Sequence, residues 1–421
     1  MRLIADLHIH SRFSRGCSKD ITLKNLERYS RMKGVDMLGT GDFTHPVWFS
    51  ELRKELTEED GILKSGTGFS FMLQVEISNI YKQGGKVRRI HNIILAPGFE
   101  TAGQINDWLL KKGRLDYDGR PIFGFDCMEL VDGLFSISRD IAVIPAHVWT
   151  PHFGLFGSLS GFDSLEECFG DRSKNIFAVE TGLSSTPSMN WRVEDLDGIS
   201  LVSFSDAHSH YPWRLGREAC IFDIERPTYH RIVEAIRERD RKAFTGTIEF
   251  FPEEGKYHYD GHRDCGVCLK PEESEKLNGI CPKCKRKMTL GVLNRIEELA
   301  SREEGFRHEG SLYFKSLIPL SEIIAHAKGC QPFSKKAWET YSQLIKSFGT
   351  EYRVLLDADL ESLKNAADGH VAKAITDVRE GRVSFRPGYD GLYGLPDIRR
   401  KEALPQKRQK ADKVQRSISD F

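Results

Sequence analysis

No run of about 18 consecutive apolar residues occurs in the chain, so no membrane-spanning helix is expected. Neither charge is in excess: Lys+Arg and Asp+Glu each number 61. Global charge therefore neither requires nor excludes a nucleic-acid partner, and any basic surface must be local. Cysteine is sparse, with 9 in 421 residues. Four of them form two CxxC pairs, while Cys17, Cys127, Cys168, Cys220 and Cys330 are scattered. That usage suits a metal knuckle in a reducing compartment better than a disulfide framework. The chain opens on strand-like residues without the apolar stretch of a signal peptide. A cytoplasmic, nucleoid-associated location is expected. There is no GxxxxGK[ST] phosphate loop and no Ser–His–Asp arrangement that would demand a protein nucleophile. Internal repeats and long low-complexity tracts are also missing.

What is present begins with Leu7-His8-Ile9-His10-Ser11. Arg2–Ile9 reads as a strand, and strand side chains alternate faces with period two. His8 and His10 therefore point the same way, and two neutral imidazoles on one face are half of a transition-metal site. A helix follows over Thr22–Lys33, stopped by Gly34. Val35–Thr40, Phe71–Ile77, Ile90–Ala96, Ile141–Pro145, Phe177–Thr181 and Leu201–Ser205 are short apolar runs, as expected of buried strands in a parallel sheet. Ligand-type residues follow or close most of them: Asp42 and His45, Glu76, His147, then Asp206 and His208. With His91 they form a candidate metal set. A lone strand histidine is ordinarily structural; this many ligand types at strand ends is not. In an α/β barrel the C-terminal strand ends form the active-site face. A helix at Thr228–Arg239 closes this region.

These motifs resemble the polymerase-and-histidinol-phosphatase (PHP) family of metal-dependent phosphoesterases. The matching stretches are Leu7-His8-Ile9-His10-Ser11, Gly39-Thr40-Gly41-Asp42, Val75-Glu76-Ile77, Pro145-Ala146-His147 and Ser205-Asp206-Ala207-His208. The resemblance covers about residues 1–240 and implies a distorted seven-stranded α/β barrel holding up to three metals, usually zinc or manganese. It implies that His8, His10, Glu76 and Asp206 hold one metal. Glu76 would bridge to a second, held with His91 and His147, and His208 would belong to a third. The family usually has histidine after the aspartate of its second motif; here Phe43 stands there. Either His45 or Asp42 is left to serve the third metal. Asp206, Glu76 and His147 are the expected catalytic residues. Clustered divalent metals lower the pKa of a bound water and clamp phosphoryl oxygens.

Residues 241–305 read as a zinc module. Cys265-Gly266-Val267-Cys268 and Cys281-Pro282-Lys283-Cys284 are separated by twelve residues, so four thiolates can close a tetrahedron around structural zinc. Lys283, Lys285, Arg286 and Lys287 flank the second pair, a run that either contacts phosphates or is simply solvated. Helices are expected at Leu293–Arg302, Ser334–Phe348 and Leu360–Glu380, the last two in a mainly helical region, 306–398. Residues 399–421 form a basic tail expected to be disordered. Its end, Gln415-Arg416-Ser417-Ile418-Ser419-Asp420-Phe421, resembles the peptide with which replication and repair enzymes bind the sliding clamp (PCNA). One helical turn would put Ile418 and Phe421 side by side against an apolar groove, with Gln415 preceding them.

The full combination is similar to the endonuclease Q family of DNA-repair enzymes. Leu38-Gly39-Thr40-Gly41-Asp42-Phe43-Thr44-His45-Pro46, Pro145-Ala146-His147-Val148-Trp149-Thr150-Pro151, Glu180-Thr181-Gly182-Leu183-Ser184-Ser185 and Arg386-Pro387-Gly388-Tyr389-Asp390-Gly391 carry it. The resemblance implies a nick on the 5′ side of a deaminated base (uracil, hypoxanthine, xanthine) or an abasic site. The partners it implies are damaged DNA and the sliding clamp. Zinc would occupy the knuckle and cluster, and magnesium or manganese would support activity. Extruding a base needs surfaces for stacking, for which Trp149, Phe153, Tyr389 and Tyr393 are candidates. The alternatives are a small-molecule phosphatase of the histidinol-phosphatase kind and a non-catalytic DNA-binding scaffold. The first leaves knuckle and tail unexplained, and the second has no need of a water-activating cluster.

Overall fold

The computed structural model describes residues 2–398. The expected clamp-binding residues Gln415, Ile418 and Phe421, and the tail around them, lie outside the described residues.

The fold is an α/β barrel of seven strand positions with an added Cys/His module and a mixed, mainly helical C-terminal region. Strand Arg2–Asp6 runs parallel to Met37–Gly39, which runs parallel to Ser70–Met72. The chain breaks at Leu73 and resumes as Gln74–Gln83, so the expected single strand Phe71–Ile77 is two strands in two sheets. Gln74–Gln83 forms a ten-residue hairpin with Lys86–Leu95, turning at Gly84-Gly85, and the latter strand pairs antiparallel with Ala142–Pro145. The sheet is therefore mixed rather than parallel: a tight glycine turn can join antiparallel strands only. Glu180 at the end of strand Ala178–Glu180 accepts the backbone N–H of Val148, and this strand pairs parallel with Ser200–Val202. A bridge between Ala207 and Ile9 returns the circuit to the first strand.

Alternation along the first strand feeds two cores. Leu3, Ala5 and Leu7 pack with Met37, Ile93 and Phe222, while Ile4 joins the larger core with Leu38, Phe71 and Val143. Helix Leu23–Lys33 is capped by the Thr22 hydroxyl, which accepts from the Asn25 N–H, and ends at Gly34 in the left-handed conformation.

The sheet extends beyond the barrel. Ala219–Asp223 pairs antiparallel with Arg2–Asp6, Phe244–Glu249 pairs with it in turn, and Tyr313–Ser316 adds parallel to Phe244–Glu249. The C-terminal helices are thus tied to the barrel through backbone hydrogen bonds. Lys33 reinforces this: buried, it donates to Glu351 (2.6 Å) and to the Pro212 carbonyl (2.9 Å). The expected helix Leu360–Glu380 is two, Leu360–Ala366 and Gly369–Arg379. Extended Ala367 ends the first, and the Asp368 carboxylate caps the second. Hairpin Ser384–Arg386/Leu395–Asp397 folds back on the segment 252–254, where Gly388 and Gly394 donate to the Glu253 and Glu254 carbonyls. A Cβ at either glycine would collide with backbone, which explains both glycines. No described helix is long and apolar enough to cross a membrane.

Candidate active site

His8 and His10 leave the first strand fully buried, with ring centroids 5.5 Å apart. Glu76 lies between two groups of potential ligands that share it: His8, His10, Glu76 and Asp206 in one, Glu76, His91 and His147 in the other. Its Oε2 lies 3.2 Å from His10 Nε2, and its Oε1 lies 2.7 Å from His91 Nδ1 and 3.0 Å from His147 Nε2. Asp206 Oδ1 is 3.1 Å from His10 Nε2 and 3.7 Å from His8 Nε2.

Each of three imidazoles has its other nitrogen held from behind. His8 Nδ1 donates to Glu180 (2.9 Å), His10 Nδ1 to Asp42 (3.1 Å), and His147 Nδ1 lies 3.0 Å from the Thr150 hydroxyl. Such outer partners fix ring orientation and tautomer and leave the inner nitrogen a lone pair. His8 Nε2 is buried without a hydrogen-bond partner among the described residues. An orphaned imidazole nitrogen facing two carboxylates is costly unless a cation sits there. The donor set, imidazoles mixed with carboxylates, fits a divalent transition metal at both groups.

The backbone supports the same point. Asp42, His147 and Asp206 all have positive φ (44°, 30° and 46°). Positive φ is uncommon outside glycine, though less so for aspartate and histidine, and such residues are over-represented at functional sites. Burial penalises the Glu76 carboxylate, but the Arg120 guanidinium and the hydrogen bonds around it hold its pKa well below the ordinary range. Burial pushes His91 down to about 3, whereas at His8, His10 and His147 the neighbouring carboxylates overcome burial and push the imidazoles up.

The expected third site does not assemble. Asp42 is spent on orientation: besides His10 it accepts from the Ser11 N–H (2.6 Å), the Ser11 hydroxyl (2.6 Å) and the Ser14 hydroxyl (2.8 Å). His45 stands at the N-cap position of helix Pro46–Glu55 without a side-chain capping bond and stacks on Phe13. His208 Nδ1 donates to the Asp206 carbonyl, its ring 4.5 Å from that of His10. None of the three belongs to a convergent group of ligand types among the described residues.

The cysteine knuckle also differs. Cys265, Cys281 and Cys284 converge with His262, not with Cys268. Cys268 sits on strand Val267–Leu269 opposite Gly261, whereas His262 stands opposite Val267. Period-two alternation puts Cys268 on the other face of the hairpin. The spacing His262-Arg263-Asp264-Cys265 carried the signal, being the same two-residue interval as CxxC.

The metal groups open into a cavity of about 1250 Å³ between barrel, module and C-terminal region. Phe153 and Tyr393 line it; Tyr393 is 57% exposed, with the Lys256 ammonium 4.8 Å from its ring centre. Trp149, expected as a stacking surface, is buried in the core, where it donates to Asn190 and packs on Phe156, so it offers no face to a base. Tyr389 packs against Gly261 in the module. Residues not foreseen also reach the site. Arg120 lines the cavity and donates to Glu76 Oε2 (3.0 Å), and Arg217 donates to the carbonyl of Ser205, next to Asp206. Glu180 ends the buried strand Ala178–Glu180, so its position was readable, whereas Glu76 lies near the start of Gln74–Gln83; Arg120 sits in an irregular loop with no periodic signal.

Residues 319–382 match the family model described as the MJ0043 C-terminal domain. The uncharacterized protein MJ0043 of Methanocaldococcus jannaschii is 34% identical over 251 residues, 58% of this chain but 31% of that protein; the chain thus spans about a third of that relative. Two solved structures match along nearly the whole length. The lesion-specific endonuclease PfuEndoQ of Pyrococcus furiosus is 30% identical with a TM-score of 0.84, covering 94% of this chain and 95% of that one. An endonuclease Q bound to a 27-mer duplex substrate with an abasic lesion at its active site is 31% identical with a TM-score of 0.85, covering 95% and 97%.

Proposed function

Since the chain belongs to the endonuclease Q family, we propose that it is a DNA-repair endonuclease that cuts the phosphodiester 5′ to uracil, hypoxanthine, xanthine or an abasic site. The observation that carries this reading is Glu76, whose two carboxylate oxygens belong to two ligand groups at once. That arrangement suits a pair of metals acting on one phosphate.

Divalent metal held by His8, His10, Glu76 and Asp206, and by Glu76, His91 and His147, would activate water and polarise the phosphoryl group. The protein's own part is positional. Glu180, Asp42 and Thr150 aim the imidazoles. Arg120 presents a guanidinium in the cavity wall, where a planar donor suits phosphate oxygens. Phe153 and Tyr393 offer aromatic faces along the cavity for an extruded nucleotide. The Cys/His module would hold structural zinc.

The test is a panel of labelled duplexes carrying one uracil, hypoxanthine or abasic site, incubated with manganese or magnesium and mapped at nucleotide resolution. A single nick on the 5′ side of each lesion is expected. Rapid phosphate release from a small monoester with no lesion-dependent nick would overturn the proposal in favour of a phosphatase.

A further inference from the structure

Two guanidiniums in the cavity wall have no anion to face. Arg214 and Arg217 line the cavity together with Asp206. Arg120, the third arginine of that wall, is paired with Glu76 at 3.0 Å. Neither Arg214 nor Arg217 forms an ion pair among the described residues. Arg217 spends Nε and one terminal nitrogen on a single acceptor, the Ser205 carbonyl, at 3.4 and 3.3 Å. Its remaining N–H groups are left for something in the cavity.

The turn that carries Arg217 is tied to the metal groups. The buried Asp6 carboxylate accepts from the Ser205 N–H (2.9 Å), the Ser205 hydroxyl (2.6 Å) and the Gly216 N–H (2.9 Å). Ser205 precedes Asp206 and Gly216 precedes Arg217, so one carboxylate fixes the guanidinium beside the metal groups. Two like charges share this wall at a cost: burial and Arg214 push the Arg217 pKa down to about 10. The acids around it compensate poorly. Burial raises Glu218, Glu254 and Glu322 toward their neutral forms, and Asp206 faces the imidazoles. A desolvated cation without a counter-ion is costly to hold, and a bound anion relieves that cost. The planar fork of a guanidinium suits phosphate oxygens.

Resting on the endonuclease reading, we propose that Arg217 binds one of the two phosphates that flank the scissile one on the cut strand, with Arg214 adding to the positive field. The metal groups would take the scissile phosphate, and Arg217, held next to Asp206 through Ser205, meets its neighbour on the same strand. A phosphate contact carries no base information; it sets the register of the strand. Uracil, hypoxanthine and abasic nucleotides differ in the base and share the backbone. A fixed grip on a flanking phosphate therefore places the same bond over the metals for every lesion.

The experiment is a cycle between side chain and phosphate on uracil duplexes. Each modified duplex carries one neutral methylphosphonate, at either flanking phosphate or at a distant one. Duplex binding by wild-type protein and Arg217→Gln is measured across a salt series, in buffer without added manganese or magnesium. On the unmodified duplex Arg217→Gln should bind about tenfold or more weakly. Its slope of log affinity against log salt should fall by about one. With the methylphosphonate at the contacted flanking phosphate, Arg217→Gln should cost little more; at the distant phosphate the two losses should add. Losses that add at both flanking positions overturn the inference, because a misfolded or merely structural variant loses the same factor on every duplex. Unchanged binding by Arg217→Gln overturns it too. Wild-type protein that nicks no lesion duplex once metal is added instead defeats the endonuclease reading, so the two failures are distinguishable.

Discussion

Replacing Glu180 with glutamine tests whether the carboxylates behind the histidines set the metal centre. Glu180 Oε1 accepts from His8 Nδ1 at 2.9 Å and its Oε2 accepts from the His147 backbone N–H at 2.7 Å. Both donors are buried. Glutamine keeps one acceptor oxygen and turns the other position into a donor. Whichever way the amide sits, one donor faces an NH2 group and loses its partner. A hydrogen bond to a charged group contributes about 1.5–3 kcal/mol, which corresponds to about tenfold to a hundredfold in an equilibrium constant. Loss of an outer partner of a metal ligand typically weakens binding by about the same factor. The assay equilibrates wild-type and Glu180→Gln protein against buffered free zinc or manganese and counts bound metal by mass spectrometry. Half-occupancy should move to about tenfold to a hundredfold higher free metal, and excess metal should restore nicking. Wild-type occupancy in Glu180→Gln would refute the claim that Glu180 orients His8 and His147 for a cation.

Three further outcomes follow from other parts of the molecule. In the Cys/His module, His262→Ala should lose the structural metal while Cys268→Ser retains it, read from the thiolate charge-transfer band after cobalt substitution; the reverse result would restore the four-cysteine set. Lys33→Ala leaves the buried Glu351 without its cation and should destabilise the protein by about 3–5 kcal/mol in denaturant unfolding; an unchanged midpoint would show that the pair does not anchor the C-terminal helices. Deleting 415–421 should abolish co-elution with a sliding clamp and leave nicking of short duplexes unchanged; retained clamp binding would rule out the terminal peptide.

The local part of this molecule was legible in the sequence. His8 and His10 were read as the face of a strand Arg2–Ile9; the strand ends at Asp6, and the two histidines meet just past it, on either side of the bridge from Ile9 to Ala207. Glu76, His147 and Asp206 were found because an ionisable residue closing an apolar run has few structural reasons to be there. What was hidden depends on distant packing. The break at Leu73 moves the chain from one sheet to another without any proline or glycine to mark it. Trp149 looks like a stacking surface beside His147, but Asn190, far along the chain, and Phe156, in the loop that follows, bury it. Cys268 obeys the knuckle spacing and is turned away by hairpin register, which no spacing rule contains. Asp42 was seen as a ligand type, yet the Ser11 and Ser14 hydroxyls that occupy it reveal an orienting residue.

The central claim is that the carboxylates and imidazoles around Glu76 cut DNA at a lesion. Asp206→Asn tests it most directly, because Asp206 lies in the ligand group with His8 and His10 and also lines the cavity. Uracil-duplex nicking and duplex binding are to be measured on the same preparation. The account predicts that nicking is abolished while binding persists; full nicking by Asp206→Asn would contradict it.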